Sequence, residues 1–143
     1  MASLVLGVVW LTGCDDNGRT ASTGTNNNSN STIAPVSIAG KTITHTITTA
    51  TPPFSPAGGF VVQFGGTPGL TSGNFNSVGS GGVTNTTGTY TYVATSGNTA
   101  TLVLQDSALG EVVENLNFQT STSGTFSSSR SAGGTQAGSF TTD

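Results

Sequence analysis

The sequence predicts an all-β domain: an antiparallel up-and-down meander of about eight strands closing into a small barrel, with a β-sandwich of similar strand content as the alternative. Three observations predict it. The chain is only 6% charged, against about a quarter for an ordinary soluble domain, and Thr, Ser, Gly and Asn dominate it. From Ser37 onward, short runs alternate apolar and polar residues and are separated by Gly-rich turns. A small residue, Gly, any residue, then an aromatic recurs as Ser72-Gly73-Asn74-Phe75, Thr87-Gly88-Thr89-Tyr90, Ser123-Gly124-Thr125-Phe126 and Ala137-Gly138-Ser139-Phe140, with Gly58-Gly59-Phe60 as a looser copy.

Composition explains the preference for strands. Thr is β-branched and fits a pleated surface. Gly supplies the positive φ angles of tight turns. No window after residue 20 sustains an apolar period near 3.6, so no helix is expected there. The 143 residues indicate one domain. The span 37–143 is long enough to bury roughly 60–70% of its unfolded surface around one core.

Charge and cysteine content exclude several classes of function. Three Lys or Arg residues against six Asp or Glu give a net charge of −3. So few positive charges form no basic footprint, and no nucleic-acid partner is expected. The acids are too scattered to form an acidic tail. The single cysteine, Cys14, rules out an intramolecular disulfide and a cysteine-rich metal site.

The first element is the apolar run Leu4-Val5-Leu6-Gly7-Val8-Val9-Trp10-Leu11. It has the length of a signal-peptide hydrophobic region and is too short to span a bilayer, which takes about 20 residues. It ends in Leu11-Thr12-Gly13-Cys14. This resembles the lipobox of bacterial lipoproteins: an aliphatic residue, a small residue, Gly or Ala, then the lipidated Cys. The resemblance implies that residues 1–13 are a cleaved signal segment and that Cys14 is acylated at the mature N-terminus. Its partner is then membrane lipid, and its location the bacterial cell envelope. Several acyl chains give durable anchoring, at about 0.8 kcal/mol per buried CH₂. Met1-Ala2-Ser3 departs from the family by carrying no Lys or Arg, which implies either an upstream start or a longer precursor. Asp15 and Asp16 match an enterobacterial retention signal for the inner membrane, a rule not general across phyla. The periplasmic face of the inner membrane and the outer membrane or cell surface both stay open. The other reading of the run, a core strand bearing a free Cys, is at odds with the long polar stretch that follows.

That stretch, with Cys14 taken as residues 14–36, includes Asn26-Asn27-Asn28-Ser29-Asn30-Ser31 and has little to bury. It cannot offset its ordering entropy and is expected to be a disordered tether spanning roughly 25 Å.

The barrel domain, 37–143, has strand candidates at 40–49, 59–65, 70–78, 87–94, 99–105, 111–119, 123–130 and 135–142. Phe60, Val62 and Phe64 share a face, as do Tyr90 and Tyr92, and Ala100, Leu102 and Leu104. Turn signals fall between the strands at Pro52-Pro53, Gly65-Gly66, Gly81-Gly82, Ser96-Gly97-Asn98 and Gly133-Gly134. Each Gly–aromatic motif reads as the start of a strand, where Gly turns or bulges the backbone and the aromatic enters the core. Strand number and this punctuation resemble small lipocalin-like, calycin-type barrels, which implies an interior able to hold one small apolar ligand. The Gly-x-Trp signature of lipocalins is missing, since the one Trp is Trp10.

Two residues are candidate ligand contacts. His45, the one histidine, alternates with Ile43 and Ile47; Glu114 alternates with Val112 and Leu116. Both are expected to face inward, where a carboxylate needs a partner such as His45, Lys41 or Arg130. Asp106, Glu111 and Glu114 surround one turn, but their spacing is not that of a calcium loop and no metal site is expected. No nucleophile elbow or phosphate-binding loop occurs, so neither catalytic residues nor a cofactor are expected. The functional expectation is a lipid-anchored envelope protein displaying a small non-catalytic β-domain for structural or adhesive contact. The alternative is a carrier of a small hydrophobic ligand. An interior void of at least about 300 Å³ separates the two.

Overall fold

The computed structural model describes residues 33–143; the signal-like run, Cys14 and the tether up to residue 32 lie outside the described residues. Eight strands follow one another: β1 (Thr42–Ala50), β2 (Gly59–Phe64), β3 (Ser72–Ser80), β4 (Thr86–Ala94), β5 (Thr99–Asp106), β6 (Gly110–Thr120), β7 (Ser123–Arg130) and β8 (Thr135–Thr142). Each pairs antiparallel with the next, and β1 pairs with β8, so the meander closes. The fold is an all-β up-and-down barrel rather than a sandwich. Every strand end lies within two residues of its sequence-based position.

Alternation builds the interior. On β1, Ile43, His45 and Ile47 are buried while Thr44, Thr46 and Thr48 face out. On β7, Gly124, Phe126 and Ser128 are buried and Thr125, Ser127 and Ser129 face out. The same parity places Phe60, Val62 and Phe64, and Leu102 and Leu104, in one continuous core with Tyr92, Leu116, Phe118 and Phe140. A fully buried side chain of this size contributes about 1.5–3 kcal/mol. The outward face is rich in hydroxyls and amides, the inverse of a lipid-facing barrel wall.

The recurrent motif has a different basis from the one the sequence suggests. Gly73, Gly88, Gly124 and Gly138 lie inside strands and none has a positive φ. They are not turn glycines. Each stands directly across from an aromatic of the neighbouring strand, and the pairs are reciprocal: Gly73 with Tyr90 and Phe75 with Gly88, then Gly124 with Phe140 and Phe126 with Gly138. The ring of each motif lies over the bare glycine of its partner. A Cβ on Gly88 would stand 2.8 Å from Cε1 of Phe75 and overlap the carbonyl oxygen of Gln105. A Cβ on Gly138 would meet Phe126 at 2.9 Å and overlap the Thr46 carbonyl. Glycine here admits both an aromatic ring and a close neighbouring strand, which a small, tightly coiled barrel requires. The turns use glycine in the ordinary way, as at Gly81 and Gly82, with φ of 64° and 93°.

The two ends of the barrel differ. At the end where β1 begins, the chain preceding β1 folds over the opening. Ala34, Ile38 and Ala39 are buried. Ile33 and Ala34 donate backbone hydrogen bonds to the Gly97 carbonyl, Ser37 Oγ donates to the Leu70 carbonyl, and Tyr92 Oη donates to the Pro35 carbonyl at 2.7 Å. The packed chain thus begins upstream of Ser37: residues 33–36, which composition assigns to the tether, are held by burial of Ala34 and by these bonds. Burial pushes the Tyr92 phenol up to about 12 and raises that of Tyr90, whose Oη donates to the Gly65 carbonyl. The far end is formed by the β1–β2, β3–β4, β5–β6 and β7–β8 connections.

Candidate functional site

The interior turns polar toward the far end. His45, Ser77, Thr86, Glu114, Ser128 and Gln136 are its buried polar side chains. Inward parity on six different strands puts them there, within an otherwise apolar wall.

Glu114 is the centre of this group. It stands on β6, three strands around the barrel from His45 on β1. His45 Nε2 lies 2.9 Å from Glu114 Oε1, and Ser128 Oγ donates to Glu114 Oε2 at 2.9 Å. The imidazole and the carboxylate are 1% exposed, so the contact crosses the barrel interior rather than its surface. A buried carboxylate without partners is costly; this one has two, one on each oxygen. The imidazole is stacked on Phe60, with ring centroids 4.2 Å apart and planes 8° from parallel, and Phe126 meets it edge-on at 4.9 Å. Its Nδ1 is buried and has no hydrogen-bond partner.

The connectivity limits the chemistry of this trio. A nucleophilic relay places the imidazole between hydroxyl and carboxylate. Here the carboxylate stands between imidazole and hydroxyl. Ser128 Oγ donates to Glu114, and His45 uses its one hydrogen-bonded nitrogen on Glu114 as well.

Between this trio and the far end lies a cavity of about 110 Å³. Phe60, Phe75, Leu104 and Val112 give it an apolar floor, Glu114 and Asp106 its charge, and Phe54 and Val83 belong to its rim. Of the two sequence-based ligand candidates, Glu114 reaches the cavity wall and His45 does not. Of the partners considered for Glu114, the structure uses His45. Arg130 Nε donates to the Leu109 carbonyl, and Lys41 Nζ donates to the Asp143 carbonyl at the opposite end.

Asp106, Glu111 and Glu114 surround one turn in sequence but diverge in space. Asp106 Oδ1 accepts the Ala108 and Leu109 amides, and its Oδ2 accepts the Thr86 hydroxyl at 2.6 Å. Glu111 accepts from Gln105 Nε2 on the exposed side, and Glu114 points inward. The lipidation candidate Cys14 lies outside the described residues.

Sequence reasoning missed Ser77, Thr86, Ser128 and Gln136 as interior groups. The signal was parity: Ser128 is two residues from Phe126, and Ser77 two from Phe75. In so Ser- and Thr-rich a chain, an inward hydroxyl looks like any other. No protein-family model matches this chain, and neither the curated proteins nor the solved structures contain a match to it.

Proposed function

We propose that this chain is a lipid-anchored protein of the bacterial cell envelope. It displays a small, non-catalytic β-barrel for structural or adhesive contact. The observation that carries the reading is a closed barrel with an interior packed by its own core side chains, where the far-end void measures about 110 Å³. A carrier of lipid-sized ligands asks for about 300 Å³ or more. Two further features support display. The chain preceding β1 closes one end, where Ile33 is bonded to Gly97, and the far rim lies at the opposite pole. The outward face is neutral and rich in Thr, Ser and Asn, which suits contact by hydrogen bonding rather than charge. In strand count and order the domain is like a lipocalin-type barrel, with a smaller lumen.

The anchor is tested by expressing the full chain and its Cys14→Ser variant in a bacterium fed a labelled fatty acid. The expected result is label on the native chain in the membrane fraction, with the variant unlabelled and soluble. Recovery of a native peptide spanning Trp10 to Asp16 with an unmodified thiol overturns the reading.

A further inference from the structure

The far-end cavity carries a binding proposal that does not depend on the anchor. Its two charged wall residues, Asp106 and Glu114, are both acids, and no Lys, Arg or His lines it. The nearby guanidinium of Arg130 is turned to the Leu109 carbonyl. His45 meets Glu114 from behind the wall, and Asp106 has no basic partner among the described residues.

The hydrogen-bonding capacity is unbalanced in the same sense. A carboxylate has about four acceptor sites. Glu114 receives one bond from His45 and one from Ser128. Thr86 spends its hydroxyl proton on Asp106, which leaves its oxygen lone pairs free. Glu114 therefore keeps acceptor capacity toward the cavity, beside the hydroxyls and the Gln136 amide that also line it. Beside them, Phe60, Phe75 and Leu104 supply an apolar surface. Size sets the rest. The volume of about 110 Å³ is smaller than the engineered 150 Å³ cavity known to admit benzene.

We propose that this cavity binds a compact organic ammonium ion, its head on Glu114 and its short hydrocarbon body against Phe60, Phe75 and Leu104. An ammonium group brings three donors and one positive charge to a wall that holds two acids and no basic side chain. A neutral alcohol of the same length fills the volume without balancing the charge. A carboxylate of that length adds repulsion.

The experiment uses the full chain as its Cys14→Ser variant, with backbone amide chemical shifts followed by NMR. n-Butylammonium, butan-1-ol and butyrate are titrated separately at neutral pH. The expected result is saturable shifts for butylammonium, centred on residues lining the cavity. Binding of butan-1-ol should be at least tenfold weaker, and butyrate should produce no such shifts. Glu114→Gln should weaken butylammonium at least tenfold while leaving butan-1-ol unchanged. Val83→Trp, which fills the mouth without altering the Glu114 trio, should abolish binding of butylammonium and of butan-1-ol and keeps the test decisive if Glu114→Gln fails to fold. The proposal is overturned if butylammonium causes no shifts at the cavity, if butan-1-ol binds equally well, or if Val83→Trp leaves binding intact.

Discussion

A carboxylate and an imidazole at the centre of a small barrel need an energetic reason to be there. Both are 1% exposed, and each is bonded to the other. Removing one leaves the other buried with a lost partner, so the two act as a unit that ties β1 to β6. Alternation in the sequence made their inward orientation readable. It could not identify the partner, because β1 and β6 meet only across the closed lumen. The two tyrosines give a cleaner residue-scale prediction. Burial raises the phenol of Tyr90 and lifts that of Tyr92 to about 12. The ordinary unfolded value is about 10. A raised folded value means that the neutral phenol favours the fold below pH about 10 and that this contribution is lost as pH rises toward 12. With no other tyrosine in the chain, phenolate absorbance should show no group titrating at the ordinary value while the protein is folded. Tyr92 should ionise near 12 or together with alkaline unfolding. Normal titration of both would contradict their burial.

Within the strands, the fold depends on glycines that have nothing to do with turns. The two hairpins β3–β4 and β7–β8 each exchange a ring for a hydrogen twice over, so four glycines and four aromatics form interlocked pairs. Gly138→Ala should destabilise the domain by at least about 2 kcal/mol, since the added methyl meets backbone that cannot step aside. Ser139→Ala, at the next and exposed position, should stay within about 0.5 kcal/mol. Urea unfolding of both variants checks this; equal midpoints would show that the glycine site has room. The repeat itself was visible in the sequence, as were the strands that carry it. What it does was not, because one copy explains nothing until its neighbour is set in register beside it. The assignment of glycine to turns followed from its commonest use, whereas the demand here is lateral: a ring on one side and a carbonyl on the other.

At the scale of the whole molecule, closure is the organising fact. The β1–β8 ladder joins residues 43–50 to 136–142, so the first strand is complete only when the last has formed. Pairings this distant in sequence place folding on the millisecond-to-second scale. The segment ahead of β1 belongs to the same cooperative unit, with Ile38 1% exposed and Tyr92 bonded to Pro35. Deleting residues 1–38 should lower stability by at least about 2 kcal/mol, the contribution of Ile38 burial and the Tyr92–Pro35 hydrogen bond alone. Unfolding should stay a single transition; an unchanged urea midpoint would mean that the cap is an ornament. Composition hid residues 33–36, because Ile33 and Ala34 are few among many polar residues.

The ladder that seals the barrel also sets the first and last strands side by side, with Asp143 hydrogen-bonded to Thr42. Head and tail of the domain therefore leave through the same door. A reporter fused behind Asp143 would crowd whatever holds the chain from its N-terminal side, whereas a peptide grafted into the 131–134 hairpin would stand on the opposite pole, beside the rim of the cavity and facing outward.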